Sequence, residues 1–350
     1  SHPEDRREIY IMVVGETSRA LNWSLYDYDR DTNPELSKIE GVTSFCHVLT
    51  ESNTTHKSVP MLLSPVSAQN FDSIYYRKSI ITAFKEAGFQ TAFFSNQRYN
   101  HSFIDFFGME ADTYDFIKED SQDSQYNPSD DELLMLVEKE LEKGNRKQFI
   151  VLHTYGSHFN YRERYPETAA FFLPDFPVDA EVKYKDNLMN AYDNSIRYTD
   201  NFLARIIHLL KQQQVDASML YTSDHGEDIF DDGRHLFLHA SPVPSYYQLH
   251  VPLLLWTSDS YREEYPGIEK AASMNRQKNI SSSISFFQTM MELAGIETPY
   301  RNDSLSVTSP LYTEKSRVYL NDHNEPHSLD DIGMRKEDFE MLKKRGIDAQ

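Results

Sequence analysis

The sequence predicts an α/β fold, with a mostly parallel central sheet sandwiched between helices. Apolar runs of strand length recur along the chain, among them Ile9–Val14, Gln90–Phe94, Gln148–Leu152, Met219–Tyr221 and Val251–Trp256. Near-continuous apolar runs are what a strand covered on both faces requires. Helical patterns alternate with these runs, which is the order of a parallel sheet. Several runs break into acids, histidines and a glycine, and open α/β sheets bind ligands at the carboxyl ends of their strands.

Taken in order, Ile9–Val14 (IYIMVV) reads as a central strand that ends in Gly15-Glu16-Thr17-Ser18-Arg19. Glu16 is then either an acid near a helix N-terminus or a ligand at a strand end. Asn22–Pro34 is turn-rich and reads as a loop over the sheet edge. Phe45–Leu49 reads as a weak strand. After it, Glu51–Pro60 leads into Met61-Leu62-Leu63, and Pro near a first helical turn marks a helix N-terminus there. Such a terminus presents free N–H groups to a phosphoryl group. A threonine in this stretch could serve as N-cap or as nucleophile.

Ser79–Ala87 reads as a helix stopped by Gly88, and the strand Gln90–Phe94 follows it. Ser129-Asp130-Asp131-Glu132 has the form of a capping box opening a helix over Asp130–Lys143, closed by Gly144. The strand Gln148–Leu152 runs into His153-Thr154-Tyr155-Gly156-Ser157-His158. Tyr184–Lys211 is a long amphipathic helix with Leu188, Tyr192, Ile196, Thr199, Leu203, Ile206 and Leu210 at helical spacing. Asp193 and Asp200 within it read as solvated or buried hydrogen-bonding groups, not ligands.

In Ala217–Asp228 the apolar Met219-Leu220-Tyr221 gives way to Asp224-His225-Gly226-Glu227. An acid and a histidine suit a divalent ion such as zinc, although a polar turn would look the same. His235 and His239 follow in a polar segment, then the buried strand Val251–Trp256. Ile284–Ala294 is an amphipathic helix closed by Gly295, and Arg317–Leu320 a last strand. The charged tail from His323 is expected to be peripheral. With no repeat or linker, residues 1–350 are expected to form one domain.

The 55 acidic residues outnumber 35 basic ones for a net charge of −20, which argues against nucleic acid as a partner. Cys46 is the only cysteine, so no intramolecular disulfide can form. No run of about 18 apolar residues occurs, so no membrane span is expected within the chain. Ser1-His2 before a charged segment reads as an artificial scar, so a natural chain beginning earlier is expected.

Val13-Val14-Gly15-Glu16-Thr17-Ser18-Arg19, followed by Asn22, Tyr26, Tyr28 and Thr32-Asn33-Pro34, resembles the opening of the phosphoethanolamine transferase family. These are lipid A-modifying enzymes, including the colistin-resistance transferases, of the alkaline phosphatase/sulfatase superfamily. The resemblance continues through Thr55-x-x-Ser58-Val59-Pro60, His153-x-x-Gly156-Ser157-His158 with Arg164-Tyr165-Pro166, Ser223-Asp224-His225-Gly226-Glu227 and Leu238-His239. It covers about residues 9 to 300 in the family's order, and implies an alkaline phosphatase/sulfatase-like α/β/α sandwich.

By this resemblance Glu16, Thr55, Asp224 and His225 match the first zinc site, with Thr55 as nucleophile. The spacing to Ser58-Val59-Pro60 selects Thr55 over Thr54. His158 and His239 match groups that hold a second zinc or the substrate phosphate, and His153 has a lesser claim. Two departures stand out. Family members carry several disulfides, which one cysteine cannot supply, and they begin with a bundle of membrane helices. The chain is therefore expected to be the periplasmic catalytic domain of a bacterial inner-membrane protein.

A threonine hydroxyl is a poor nucleophile, and zinc would stabilise its alkoxide. The implied reaction moves phosphoethanolamine from phosphatidylethanolamine to Thr55, then to a lipid A phosphate or another envelope glycan. His158 and His239 would neutralise phosphoryl charge or protonate a leaving group. A phosphodiesterase or phosphoglycerol transferase would share the metal site, and a non-catalytic lipid-headgroup binding domain is the rival from another class. A sulfatase is disfavoured because Cys46 is followed by His47-Val48-Leu49 and not by the Cys-x-Pro-x-Arg signature. The expectation is that Glu16, Thr55, Asp224 and His225 converge on one metal ion, with oxygens at about 2.0–2.2 Å.

Overall fold

The computed structural model describes residues 2–118 and 127–350, so Ser1 lies outside the described residues. Its seven-stranded sheet runs in the order Val42–Ser44, Leu253–Thr257, Asp216–Ser223, Glu8–Gly15, Lys147–His153, Gln90–Ser95, Thr113–Phe116. From Asp216–Ser223 to Thr113–Phe116 all neighbours are parallel. Leu253–Thr257 runs antiparallel to Asp216–Ser223. Parallel pairing needs crossovers that place helices on both faces, which explains why every residue of Glu8–Gly15 is buried.

Successive strand residues point to opposite faces, and this divides the core in two. Tyr10, Met12 and Val14 pack with Val59, Leu62, Ile81, Phe84, Phe286 and Met290, from the helices Thr55–Leu62, Ile80–Glu86 and Ser282–Ala294. Ile9, Ile11 and Val13 pack with Leu133, Val137, Leu188, Tyr192, Ile196 and Leu203, from Glu132–Glu142 and Lys185–Gln213. The molecule is thus a three-layered α/β/α sandwich, as the alternation of apolar runs and helical patterns predicts.

The register sets the position of the site. Val14 pairs with both His153 and Thr222, Gly15 with Ser223, and Ser95 with His153. The ladder closes with Asp224 N–H to Gly15 O at 3.1 Å, Thr154 N–H to Val14 O at 3.0 Å and Asn96 N–H to His153 O at 2.8 Å. Four strands therefore end level. Glu16, Asn96, Thr154 and Asp224 leave the sheet along one edge.

Several expectations need correction. The run Phe45–Leu49 narrows to His47–Leu49, which pairs with Asn279–Ser281 in a separate ladder, and the main sheet takes the preceding Val42–Ser44 as its edge strand. The helix near Pro60 starts earlier, at Thr55, with Pro60 inside it. Proline there forfeits one intrahelical bond. Asp130 opens no capping box, since the helix begins at Glu132 without a side-chain cap. The last strand is present as expected, over Val318–Leu320, and it pairs with Pro326–Ser328 in a ladder separate from the main sheet.

The tail is not peripheral. Its helix Lys336–Lys344 brings Leu342 into a small core with Leu49, Tyr246, Leu249, Tyr319, Leu329 and Met334. Asp338, fully buried, pairs with Arg234 at 2.8 Å. Charge along the tail thus partly faces inward, where a single-sequence pattern cannot distinguish it from a solvated face. Leu342→Ala should lower stability by about 2–4 kcal/mol through lost burial and a cavity, measured by urea denaturation. An unchanged midpoint would mean that the tail is undocked in solution.

Candidate active site

Thr55 occupies the first residue of the helix Thr55–Leu62, and its hydroxyl lies at the focus of the sheet edge. Oγ1 is 2.8 Å from Glu16 Oε1, 2.6 Å from Asp224 Oδ2 and 3.2 Å from His225 Nε2. Glu16, Asp224 and His225 are fully buried, whereas Thr55 is only part-buried and open to a substrate. The four residues named from sequence are brought together.

Each member of the cluster is held from behind. Asp224 Oδ1 accepts from the Thr17 and His225 backbone amides at 2.9 and 2.7 Å, which turns Oδ2 toward Thr55. Ser58, one helical turn after Thr55, donates to the Asp224 carbonyl at 2.7 Å and locks the helix onto the strand end. His225 Nδ1 faces the Gly226 carbonyl at 2.7 Å. A carbonyl only accepts, so Nδ1 carries the proton and Nε2 keeps its lone pair toward Thr55. Gln97 donates to Glu16 Oε2 at 3.2 Å and to the Thr154 carbonyl at 2.9 Å.

The cluster has more acceptors than protons. Thr55 brings one hydrogen, and three acceptor atoms converge on it. Burial opposes ionisation of Glu16, but the imidazoles of His153, His225 and His158 outweigh it and hold this carboxyl well below the usual range. Burial, and then the negative charge of Glu16, push Asp224 well above it. Burial and the neighbouring His239 press His225 down to about 3. One of the two carboxyls therefore keeps its proton unless a cation joins them. Two like charges about 4 Å apart repel by roughly 4 kcal/mol at an effective dielectric of 20.

A divalent ion fits this donor set. Ligand atoms from Glu16, Asp224 and His225 all lie within 4.8 Å of one another. His225 Nε2 is 3.3 Å from Asp224 Oδ2 and 3.6 Å from Glu16 Oε1. Ligands held tetrahedrally at about 2.0–2.2 Å from zinc are spaced by roughly 3.3–3.6 Å. His153, on the Glu16 side, has Nε2 3.9 Å from Glu16 Oε2, near enough for charge attraction, although neither ring nitrogen makes a hydrogen bond within the described residues.

His239 and His158 flank the cluster. The His239 ring is 4.0 Å from that of His225, and its Nδ1 meets Glu227 Oε1 at 2.8 Å. Burial would lower the affinity of His239 for a proton, but the bond to Glu227 outweighs it and raises the pKa. His158 stacks on Tyr155 at 4.6 Å and bonds the Phe159 carbonyl through Nδ1. Both rings are only part-buried. His235 is exposed and takes no part in the cluster.

Sequence reasoning missed three supports. Gln97 also follows a strand's carboxyl end, a signal that could have found it. Glu227 was visible only as a motif letter. Asp130 accepts from the Tyr155 and Gly156 amides at 2.8 and 2.9 Å and from Asn96 at 2.9 Å. It ties two strand ends together instead of capping a helix.

A family model described as sulfatase matches residues 8–296. The chain is 30% identical over 324 residues to the phosphoethanolamine transferase EptA of Salmonella typhimurium, covering 87% of this chain and 56% of that protein. It thus spans little more than half the length of this curated relative. The zinc complex of the C-terminal periplasmic domain of EptC from Escherichia coli superposes with a TM-score of 0.85 at 24% identity, covering 94% of both chains. The integral membrane lipooligosaccharide phosphoethanolamine transferase A of Neisseria meningitidis superposes with a TM-score of 0.77 at 24% identity, covering 88% of this chain and 58% of the other. The fold is alkaline phosphatase/sulfatase-like, with a mixed, mostly parallel sheet flanked by helices.

Gly156 sits where a side chain would break this arrangement. Its φ is +57°, and an added Cβ would lie 2.6 Å from the Glu16 carbonyl oxygen and 2.9 Å from its nitrogen. Both contacts are with backbone and cannot swing aside. Gly156→Ala should destabilise the fold by about 1–3 kcal/mol and weaken binding of added zinc, read by thermal melts with and without the metal. A variant with wild-type melting and zinc response would show that the loop accommodates the methyl group.

Proposed function

The chain belongs to the sulfatase family, and from that premise we propose that it is the catalytic part of a zinc-dependent phosphoethanolamine transferase. The observation that carries this reading is the Thr55 hydroxyl at the focus of Glu16, Asp224 and His225. Its donor is phosphatidylethanolamine, and its acceptor a lipid A phosphate or another envelope glycan. The relatives named periplasmic and integral membrane proteins support a location at the bacterial inner membrane, with this part facing the periplasm. No helix of the described residues is long and apolar enough to cross a membrane.

Glu16, Asp224 and His225 would hold the zinc, with Thr55 completing the set. When bound, the ion supplies the positive charge that lets the Thr55 hydroxyl give up its proton near neutral pH. Thr55 Oγ1 then attacks the phosphorus of the donor, and the bond from phosphorus to the diacylglycerol oxygen breaks. The product is a phosphoethanolamine ester on Thr55. His239, whose proton is favoured by Glu227, supplies a proton to the departing diacylglycerol oxygen. His158, part-exposed beside the cluster, stabilises the phosphoryl oxygens. In the second half, an acceptor oxygen gives the proton it carries to His239 and attacks the same phosphorus, and the bond to Oγ1 breaks, which returns Thr55 and His239 to their starting states.

Mass spectrometry of the protein after incubation with phosphatidylethanolamine tests the covalent step. Wild type should carry a phosphoethanolamine group on Thr55 that an acceptor removes. Thr55→Ala should lose at least about a thousandfold in turnover while remaining folded, and Thr55→Ser should retain part of the activity. Turnover by Thr55→Ala near the wild-type rate would make the protein a phosphodiesterase that uses water as its nucleophile.

Zinc itself makes a separate prediction. Chelation should abolish turnover, zinc should restore it, and added zinc should raise the melting temperature of the chelated protein. Asp224→Asn should reduce that stabilisation. Full activity in a chelated sample with no zinc by elemental analysis would remove the metal from the mechanism.

A further inference from the structure

Beside His239 opens a cavity of about 340 Å³, to whose lining the C-terminal segment contributes Arg335 and Asp338. It lies in the lower range for small-molecule sites. His239 belongs to both places, since its ring also packs on that of His225 at 4.0 Å. A second link runs through Ser241 on the cavity wall, whose carbonyl accepts from Asn53 at 2.9 Å. Asn53 stands two residues before Thr55. A ligand in this cavity therefore meets His239, whose other side packs on the metal-site candidate His225.

The charges around the cavity select the ligand. Arg234 is neutralised by Asp232 and Asp338, at 2.8 Å each. Asp338 also accepts from the Tyr246 amide, and Asp228 accepts from Ser245 and Gln248. The lining carboxylates are thus engaged. Arg335 is exposed at the rim, and none of these carboxylates pairs with its guanidinium. Leu236 and Val243, each 40% exposed, add apolar surface. An open guanidinium beside apolar walls suits an anion carried on a sugar ring, which offers an apolar face and a phosphate that Arg binds in bidentate fashion.

Resting on the function proposed above, we propose that this cavity is the acceptor subsite, taking a phosphorylated sugar with Arg335 paired to its phosphate. Thr55, Glu16, Asp224, His225 and His239 all lie within the family-matched residues 8–296, whereas Arg335 lies beyond them.

The test is a calorimetric titration of the zinc-loaded protein with glucosamine 1-phosphate, glucosamine and inorganic phosphate, without donor. Wild type should bind the phosphorylated sugar at least about tenfold more tightly than either control. Arg335→Glu should weaken that binding by about tenfold or more, and Arg335→Lys should restore most of it. Equal binding by wild type and Arg335→Glu would overturn the assignment. So would inorganic phosphate binding as tightly as the sugar phosphate, or a loss in Arg335→Glu that falls equally on unphosphorylated glucosamine. Because no donor is present, the titration reads the subsite even if Thr55 is never labelled. A failure of labelling alone would count against the transferase reading and not against the cavity.

Discussion

Two carboxyl groups and an imidazole held fully buried around one hydroxyl oxygen would not assemble unaided. Glu16 and Asp224 lose hydration and repel each other, and only one keeps its charge without a shared cation. The surrounding scaffold has to hold them there. Backbone amides of Thr17 and His225 fix Asp224, Gln97 and nearby imidazoles favour the ionised Glu16, and the Gly226 carbonyl sets the tautomer of His225. A divalent ion would relieve the repulsion that this scaffold sustains. The level ends of four parallel strands are the precondition, since a shift of one residue would move Glu16 or Asp224 away from Thr55.

The loops above the sheet achieve their order without disulfides, Cys46 being free. Buried carboxylates and amides take that place. Asp193 gathers Asn22, Tyr28 and Arg30, while Asp200 accepts from the Glu35 and Leu36 amides. Asn194 receives the Phe171 and Phe172 amides through Oδ1. The long helix Lys185–Gln213 thus serves as a post to which two long loops are hydrogen-bonded. Arg19, fully buried, joins Asp231, Asn22 and the Glu227 carbonyl. Each such group would be costly to bury alone and is retained because its partners satisfy it.

The C-terminal segment closes a different side of the molecule. Its buried Asp338 reaches Arg234 and the Tyr246 amide, so the helix Lys336–Lys344 is fastened to the stretch that carries His239. Arg345 adds a bond to the Tyr26 carbonyl. The net charge of −20 accordingly describes the whole surface poorly near the site, where individual cations are placed by packing.

The sequence by itself determined the sandwich and the strand positions. Strands buried on both faces must be apolar throughout, and a run such as Ile9–Val14 has few other uses in a chain of this length. It also exposed Glu16, Asp224 and His225 as acids and histidine at strand ends, because the end of such a run is where polar groups become affordable. Tertiary structure alone decided which of those ends meet. Thr55 is reached across 39 residues from Glu16 and 169 from Asp224, and hydrogen bonds between such distant segments leave no periodicity in the chain. The same holds for Asp130, whose local pattern is that of a helix cap but whose carboxylate is drawn to the Tyr155 and Gly156 amides. It holds for the tail, where the buried Asp338 looks like any surface charge until its partner Arg234 is in place. Propensity and burial act along the chain and can be read from it, whereas the pairing of buried polar groups is a property of the folded packing.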